Sequence, residues 1–221
     1  MHSQTDKLLE MPSFYEWILD KLGVSSGKKL LDVATGTGSL LNSAQRRHVN
    51  AIGIDISIKA IEKAKPAMDE PKLVLSDGEK LPFEIESFDY ATNIGSLEHF
   101  LNPDQGVQEI SRVLRDNGKA AIFLPNSYYL GDILTTVLLH GDNPSHNQVV
   151  DRFAAKNEWL KLLENNGLIV RKVFRYNYLF PRTKNDWKYL RNRPKKILGI
   201  LISPFIPINL SYSFLYICEK N

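Results

Sequence analysis

An α/β fold, with a mostly parallel sheet covered by helices on both faces, is what this sequence predicts, and three observations predict it. Short apolar segments alternate with amphipathic ones along most of the 221 residues, the pattern of repeated strand–helix units. The short segments are apolar at nearly every position, as strands buried on both faces must be. Hydrophobic residues make up 43% of the chain and charged residues 24%, enough to fill a large core and far from the composition of a disordered chain.

The elements follow in order. Pro12 to Leu22 is a short helix, with Ser13 and Glu16 at capping-box spacing and Phe14, Trp17, Ile18 and Leu22 as its apolar stripe. Lys29 to Ala34 is a strand that ends in a glycine turn, and a helix runs from Gly38 to Arg47. Val49 to Asp55 is the second strand, and Ser57 caps a helix running towards Met68. Lys72 to Ser76 and Phe88 to Asn93 are the third and fourth strands. Asn102-Pro103 starts a helix, with Asn as N-cap and Pro at the first helical position, and Asn117-Gly118 is its expected left-handed stop. Lys119 to Leu124 is the fifth strand, halted by Pro125. Lys156 to Asn165 is a helix closed by Asn166-Gly167, and Leu168 to Tyr176 and Tyr212 to Glu219 complete a set of seven strands.

Composition narrows the chemistry. Cys218 is the only cysteine, which rules out an intrachain disulfide and a thiolate zinc cluster. No His/Asp/Glu set has metal-ligand spacing, so no metal is expected. The polar start and the Pro204 and Pro207 breaks in the apolar stretch 197–210 argue against a secretory leader and a bilayer span. A cytoplasmic protein is expected. The net charge of +3 hides an asymmetry: residues 1–170 sum to −6 and residues 171–221 to +9. A basic end on an acidic body suggests either an anionic contact or a solvated basic helix.

In sheets of this kind ligands sit beyond the carboxyl ends of the strands, at the switch point of the strand order. The turn Asp32-Val33-Ala34-Thr35-Gly36-Thr37-Gly38 lies there. Gly36 and Gly38 let the backbone bend tightly against a ligand, and a helix N-terminus follows with free N–H groups. Asp55 ends the second strand, 19 residues after Gly36, where a carboxylate can accept from both hydroxyls of a ribose. A dinucleotide site wants a third glycine, and Leu41 stands in that place. Asp32 before the glycines suits an ammonium better than a pyrophosphate. Asp77, followed by Gly78, can accept from an adenine amine, though taken alone it could equally be a cap or a surface charge, whereas a carboxylate inside an apolar strand, as at Asp32, costs free energy unless it is paired.

LLDVATGTGSLL (30–41), GIDIS (53–57), LSDGEKLPFEIESFDY (75–90), the stretch 93–126 and EWLKLLENNGLIV (158–170) resemble, in order, the segments of class I S-adenosylmethionine-dependent methyltransferases of the small-molecule, lipid and sugar type. The resemblance covers residues 28–170 and, more weakly, 212–220. It implies a Rossmann-like sheet of seven mostly parallel strands with the last antiparallel, S-adenosyl-L-methionine as cofactor and S-adenosyl-L-homocysteine as product. It also implies one domain over 1–221: a helical cap (1–27), a cofactor-binding half (28–126) and an acceptor-side half (127–221) with a basic insertion at 177–211.

The family's roles then fall on Asp32 for the amino group, Ala34, Gly36 and Gly38 along the methionine part, and Asp55 for the ribose. Ile56 would pack on adenine, Asp77 and Gly78 would read its edge, and Asn93 would approach the methionine part. Alanine at 34, where the family often has glycine, is expected to be a small departure, and Asp116-Asn117-Gly118 is expected to keep the helix stop. Tyr15 is expected either to close over the cofactor or to pack in the core. His99, after Glu98, is expected to be structural.

A hydroxyl acceptor needs a proton acceptor within hydrogen-bond reach. His146 is the candidate general base, with a plain loop histidine as the alternative, and Tyr128 or Tyr129 could wall the acceptor pocket. Arg182 to Lys196 holds seven Lys/Arg and one Asp with Trp187, Tyr189 and Leu190 interleaved, followed by an apolar stretch. This suits a peripheral membrane contact through 182–210, a cover for an amphiphilic or small-molecule acceptor, or a helical cap on the domain edge. No nucleic acid is expected, because the charge is confined and no recognised module accompanies it. The leading function is methyl transfer to a small-molecule, sugar or lipid-linked acceptor. The alternatives are an NAD(P)-dependent oxidoreductase, which Leu41, Asp32 and Asp77 argue against, and a non-catalytic protein that binds S-adenosylmethionine.

Overall fold

A computed structural model describes residues 11–67, 72–142 and 152–221. Its strands are β1 (Lys29–Val33), β2 (Asn50–Asp55), β3 (Leu73–Leu75), β4 (Phe88–Ile94), β5 (Leu114–Pro125), β6 (Leu168–Tyr176) and β7 (Ser213–Lys220). They form one sheet in the order β3-β2-β1-β4-β5-β7-β6. β7 runs antiparallel to both its neighbours, and the other pairings are parallel. The order reverses between β1 and β4, which opens a crevice at their carboxyl ends.

Helices α1 (Phe14–Leu22), α2 (Ser39–Arg46), α3 (Ile58–Ala64), α4 (Pro103–Val113) and α6 (Lys156–Asn165) flank the sheet. Between α4 and α6 the chain makes a helical segment, α5, of Leu130–Asp132, a π-helical Ile133–Val137 and Leu138–His140. The interval before β7 holds α7 (Lys184–Leu190) and α8 (Pro194–Ile202).

The two-residue period of the strands splits the core into two layers. Leu30, Phe123, Leu215 and Ile217 face α1, α2 and the α7–α8 pair, where Phe14, Ile18, Leu41, Leu190 and Ile200 meet them. Leu31, Ile122, Leu124, Phe214, Tyr216 and Cys218 face α4 and α6, where Val107, Ile110, Trp159 and Leu163 meet them. Cys218 is a buried core thiol, and burial pushes its pKa up. Phe14, Phe123 and Tyr176 stack edge to face at centroid distances of 5.1–5.3 Å and tie α1 to the sheet.

Most expected boundaries hold to within two residues, with two instructive exceptions. The capping box at Ser13 does not form, since the Ser13 side chain makes no cap bond. Glu16 instead pairs with Arg46 at 2.7 Å and Arg47 at 2.6 Å, fastening α1 to α2. The end of α1 is held from far along the chain: the Ser13 N–H donates to Asp186 at 3.1 Å. The fully buried Asp186 also accepts from the backbone N–H groups of Arg182 at 2.9 Å and Thr183 at 2.8 Å. Burial opposes its charge, but these bonds win and hold its pKa below the ordinary carboxylate range.

The second exception is α4, which ends at Val113 rather than at Asn117-Gly118. Asn117 is left-handed, with φ of +60°, but inside the irregular first part of β5. There the β4–β5 register jumps from Phe88↔Leu114 to Tyr90↔Lys119. A left-handed Asn serves a bulge as well as a helix stop.

Candidate active site at the carboxyl edge

Three strand ends converge on one cleft of roughly 240 Å³. Ala34 comes from the turn after β1, Asp55 and Ile56 from the end of β2, and Ser76, Asp77, Gly78 and Glu79 from the turn after β3. Ser96, His99, Phe100 and Leu101, beyond β4, form the opposite wall.

The glycine turn is held by the acidic residues around it. Gly36 and Gly38 are left-handed at φ +57° and +73°, and so is Ala34 at +60°. Alanine at 34 is therefore a departure with a backbone cost, because a side chain in this region is strained. One oxygen of Asp55 accepts from the Gly36 N–H at 2.9 Å and the other from the Ser57 N–H at 2.8 Å. A carboxylate has lone pairs beyond those two, so Asp55 can shape the turn and still receive hydroxyls from the cleft.

Asp32 is buried beneath the turn. It accepts from the Thr35 hydroxyl at 2.7 Å and the Thr92 hydroxyl at 2.6 Å. Burial pushes its pKa up to about 6; the two hydroxyls pull the other way, and the charge of Asp55 adds to the rise. The carboxylate is thus kept anionic with difficulty, and a nearby cation would relieve it.

Asp77 is exposed, with one oxygen spent on the Glu79 N–H at 2.9 Å in an Asx turn. The turn is locked from behind by α4. Glu109 accepts from the Leu81 N–H at 2.7 Å and pairs with Arg112, whose guanidinium reaches the carbonyls of Phe83 at 2.8 Å and Leu81 at 3.1 Å. Gly78 is needed for packing as well as for backbone access: a Cβ there would lie 2.5 Å from the Phe100 ring. Ile56 and Leu101, 73% and 78% exposed, line the cleft as bare apolar surfaces.

The expected residues separate by place. Ala34, Asp55, Ile56, Asp77 and Gly78 line the cleft, and Gly36, Gly38 and Asp32 form the turn and its support. Asn93 is fully buried; its side-chain oxygen accepts from the Leu97 N–H at 3.0 Å, so it braces the segment after β4. Tyr15 packs edge to face on Phe14 at 5.1 Å and is not among the cleft-lining residues. His99 lines the cleft, 3.7 Å from the Glu98 carboxylate. His146 lies outside the described residues.

Sequence reasoning missed Leu101 and Phe100 as walls and the two threonines that hold Asp32. Thr92 is opposite Asp32 in the parallel β1–β4 register, a neighbour that spacing along one strand does not reveal. Tyr128 is largely exposed. Tyr129 packs edge to face on Tyr212 at 5.1 Å, and burial, then Tyr178 and Asp132, push its pKa up to about 12. Among the described residues no group of three or more His, Cys, Asp or Glu could hold a metal ion.

Comparisons with known proteins agree with this geometry. Residues 31–122 match the family described as a methyltransferase domain. The demethylmenaquinone methyltransferase of Thermotoga maritima is 32% identical over 97 residues, covering 43% of this chain and 42% of that protein. The demethylmenaquinone methyltransferase of Chlorobaculum tepidum is 27% identical over 199 residues, covering 87% and 73%. Apart from such longer matches, the chain spans about half the length of the curated relatives it matches. The crystal structure of a protein from Listeria monocytogenes described as an S-adenosylmethionine-dependent methyltransferase superposes with a TM-score of 0.70 at 16% identity over 96% of this chain and 99% of that one. The domain match, the run of relatives named as methyltransferases and the sheet order together support a class I S-adenosylmethionine-dependent methyltransferase family for this chain.

Proposed function

We propose that the chain binds S-adenosyl-L-methionine in the cleft at the carboxyl ends of β1–β3 and transfers its methyl group to a small-molecule, sugar or lipid-linked acceptor. The observation that carries this is the convergence of Ala34, Asp55, Ile56, Asp77 and Gly78 on one cleft, with a buried Asp32 behind it. The residues fit the group. Asp55 offers oxygens to the ribose hydroxyls, and Ile56 and Leu101 offer apolar faces to adenine. Asp77 keeps one oxygen for its amine, and Asp32, whose ionisation burial opposes, gains from an ammonium beside it.

The bound cofactor supplies a methyl group on a sulfonium, already attached to a good leaving group. The protein's work is then placement and exclusion of water. The turn 34–38 fixes the methionine end through backbone groups anchored on Asp55. The segment after β4, braced by Asn93, forms the wall opposite. For a hydroxyl acceptor, His146 is proposed to take the proton. Two relatives are named as demethylmenaquinone methyltransferases, and a quinone acceptor there supports a small-molecule or lipid-linked acceptor here.

A nicotinamide dinucleotide is disfavoured by Leu41. It stands where a dinucleotide turn carries its third glycine, and its side chain packs onto Gly53 of β2, 2.5 Å from where a Cβ there would stand. Calorimetry tests the proposal. S-adenosyl-L-methionine and S-adenosyl-L-homocysteine are expected to bind and NAD is not; silence of both adenosyl ligands at millimolar concentration would overturn it. Replacing His146 by Ala is expected to reduce turnover without changing cofactor affinity, and unchanged turnover removes it as the base.

A further inference from the structure

The carboxyl edge continues past the cleft into a surface with a different character. The outer stripe of α8 and the 3-10 turn after it shows Leu198, Leu201, Ile202 and Phe205 to solvent, at 57%, 61%, 46% and 83% exposure. These positions follow one another at helical spacing on one face, while Ile200 points inward and is buried. No charged residue occurs from Ile197 to Ser211. Just before this stripe, Lys184, Lys188, Arg191 and Lys195 are all exposed, with Trp187 more than half exposed among them.

A second apolar strip lies nearby. Leu138 and Leu139 of α5 are largely exposed. The two strips are joined by tyrosines: Tyr178 fills the space beside Gly199 of α8 and hydrogen-bonds Tyr129 at the foot of α5, which in turn packs on Tyr212. Both strips therefore border the carboxyl edge, where β5 and β6 end and β7 begins.

We propose that this edge docks on an anionic lipid bilayer. The apolar stripe of α8 and the exposed leucines of α5 would enter the boundary between headgroups and acyl chains, and the α7–α8 lysines and arginines would meet the headgroups. Exposed leucine, isoleucine and phenylalanine in one contiguous strip are unusual on a soluble surface and mark an interaction site. A basic flank beside an apolar, charge-free stripe with Trp187 between them is the pattern of an interfacial helix. A second copy of the chain fits poorly, because a two-fold contact would set these cations against themselves. Nucleic acid fits poorly because the stripe offers bases nothing to hydrogen-bond. Docked this way, the cleft would open towards the membrane and an amphiphilic acceptor would reach it without crossing water.

Vesicle co-sedimentation of the whole chain, without cofactor, tests the surface independently of the methyltransferase reading. The protein is expected to bind vesicles of phosphatidylcholine with phosphatidylglycerol, more weakly as salt rises, and to bind pure phosphatidylcholine poorly. Leu198→Asp with Leu201→Asp is expected to weaken binding by about tenfold or more while the melting temperature and S-adenosylmethionine affinity stay as in the wild type. Lys188→Gln with Arg191→Gln and Lys195→Gln is expected to remove the preference for phosphatidylglycerol. Failure of the wild type to bind the anionic vesicles overturns the proposal. So does equal binding to both lipids, or self-association in ultracentrifugation that the Leu201 substitution dissolves.

Discussion

The two ends of the carboxyl edge are built on opposite plans. On the nucleoside side, beyond β1–β3, polar groups are consumed internally: Asp55 fastens Gly36 and Ser57, Asp32 takes two threonine hydroxyls, and Glu109 with Arg112 locks the turn after β3. On the acceptor side, beyond β5–β7, the insertion is fastened at its base by Asp186, and its outer faces are left apolar or basic and open. The difference teaches where each kind of specificity comes from. A ligand with fixed hydrogen-bonding needs a preorganised cradle, whereas a surface for an amphiphile needs area, charge and a rigid root.

The comparison breaks most sharply at Asp55. Asp55→Ala removes both anchors of the turn and the acceptors offered to the ligand. Charged hydrogen bonds contribute about 1.5–3 kcal/mol each, so affinity for S-adenosylmethionine is expected to fall by roughly 1,000-fold in calorimetry. A loss of a few-fold only would mean that the turn forms without it and that the ribose is held elsewhere.

Asp186 is the equivalent test of the acceptor side, and its effect belongs to stability. Asp186→Ala strands three backbone N–H groups around a buried site. At about 1 kcal/mol for each, unfolding in denaturant should show a loss of about 3 kcal/mol, with the cofactor affinity of the folded fraction little changed. Because the pKa of Asp186 is lowered in the folded protein, its contribution is present above the ordinary carboxylate range and is lost as pH falls through the folded value. The variant should therefore lack part of the wild type's acid sensitivity.

The nucleoside side was more legible in the sequence than the acceptor side, for a physical reason. Its residues lie in short strand-end motifs whose local geometry is set within a few positions, so Ala34, Asp55, Ile56, Asp77 and Gly78 could be placed along one edge in advance, and they do line one cleft. What was missed there is what comes from across the sheet: Thr92 through the parallel register, and Phe100 and Leu101 through the packing around Gly78. The insertion showed its composition but not its anchoring. Ser13 and Asp186 are 173 residues apart, and the local capping signal at Ser13 and Glu16 lost to those distant partners. Likewise Asn117 advertised a left-handed residue without saying whether a helix or a bulge would use it.

Asp32 sharpens the contrast through pH. Its pKa is raised to about 6, so its ionisation favours the unfolded chain: stability intact at the lower end of the carboxylate range declines as pH rises through about 6. Ligand binding has the opposite sign, since an ammonium beside Asp32 favours the ionised form. Affinity for S-adenosylmethionine is expected to rise by about tenfold between pH 5 and pH 7, with proton release seen as buffer-dependent heats below pH 6. Thr92→Val, which removes the 2.6 Å donor, should push that transition to higher pH. An affinity flat across this range would place the ammonium away from Asp32.

The smallest effect lies at Ala34, and it separates the strain of the turn from its function. The residue sits at φ +60°, where a side chain costs about 1–2 kcal/mol that glycine escapes, while glycine loses up to about 1 kcal/mol more chain entropy on folding. Ala34→Gly should therefore stabilise the protein by roughly 0.5–1 kcal/mol, a rise in melting temperature of about 1–4 °C for a domain of this size. The turn around it is over-determined: the Thr35 N–H donates to the Ile54 carbonyl at 2.8 Å and the Gly36 N–H to Asp55 at 2.9 Å. With both anchors intact, relief of strain at 34 has no route to the ligand, and cofactor affinity should stay unchanged. A variant that melts lower would show that the Ala34 methyl contributes more through packing than its backbone costs.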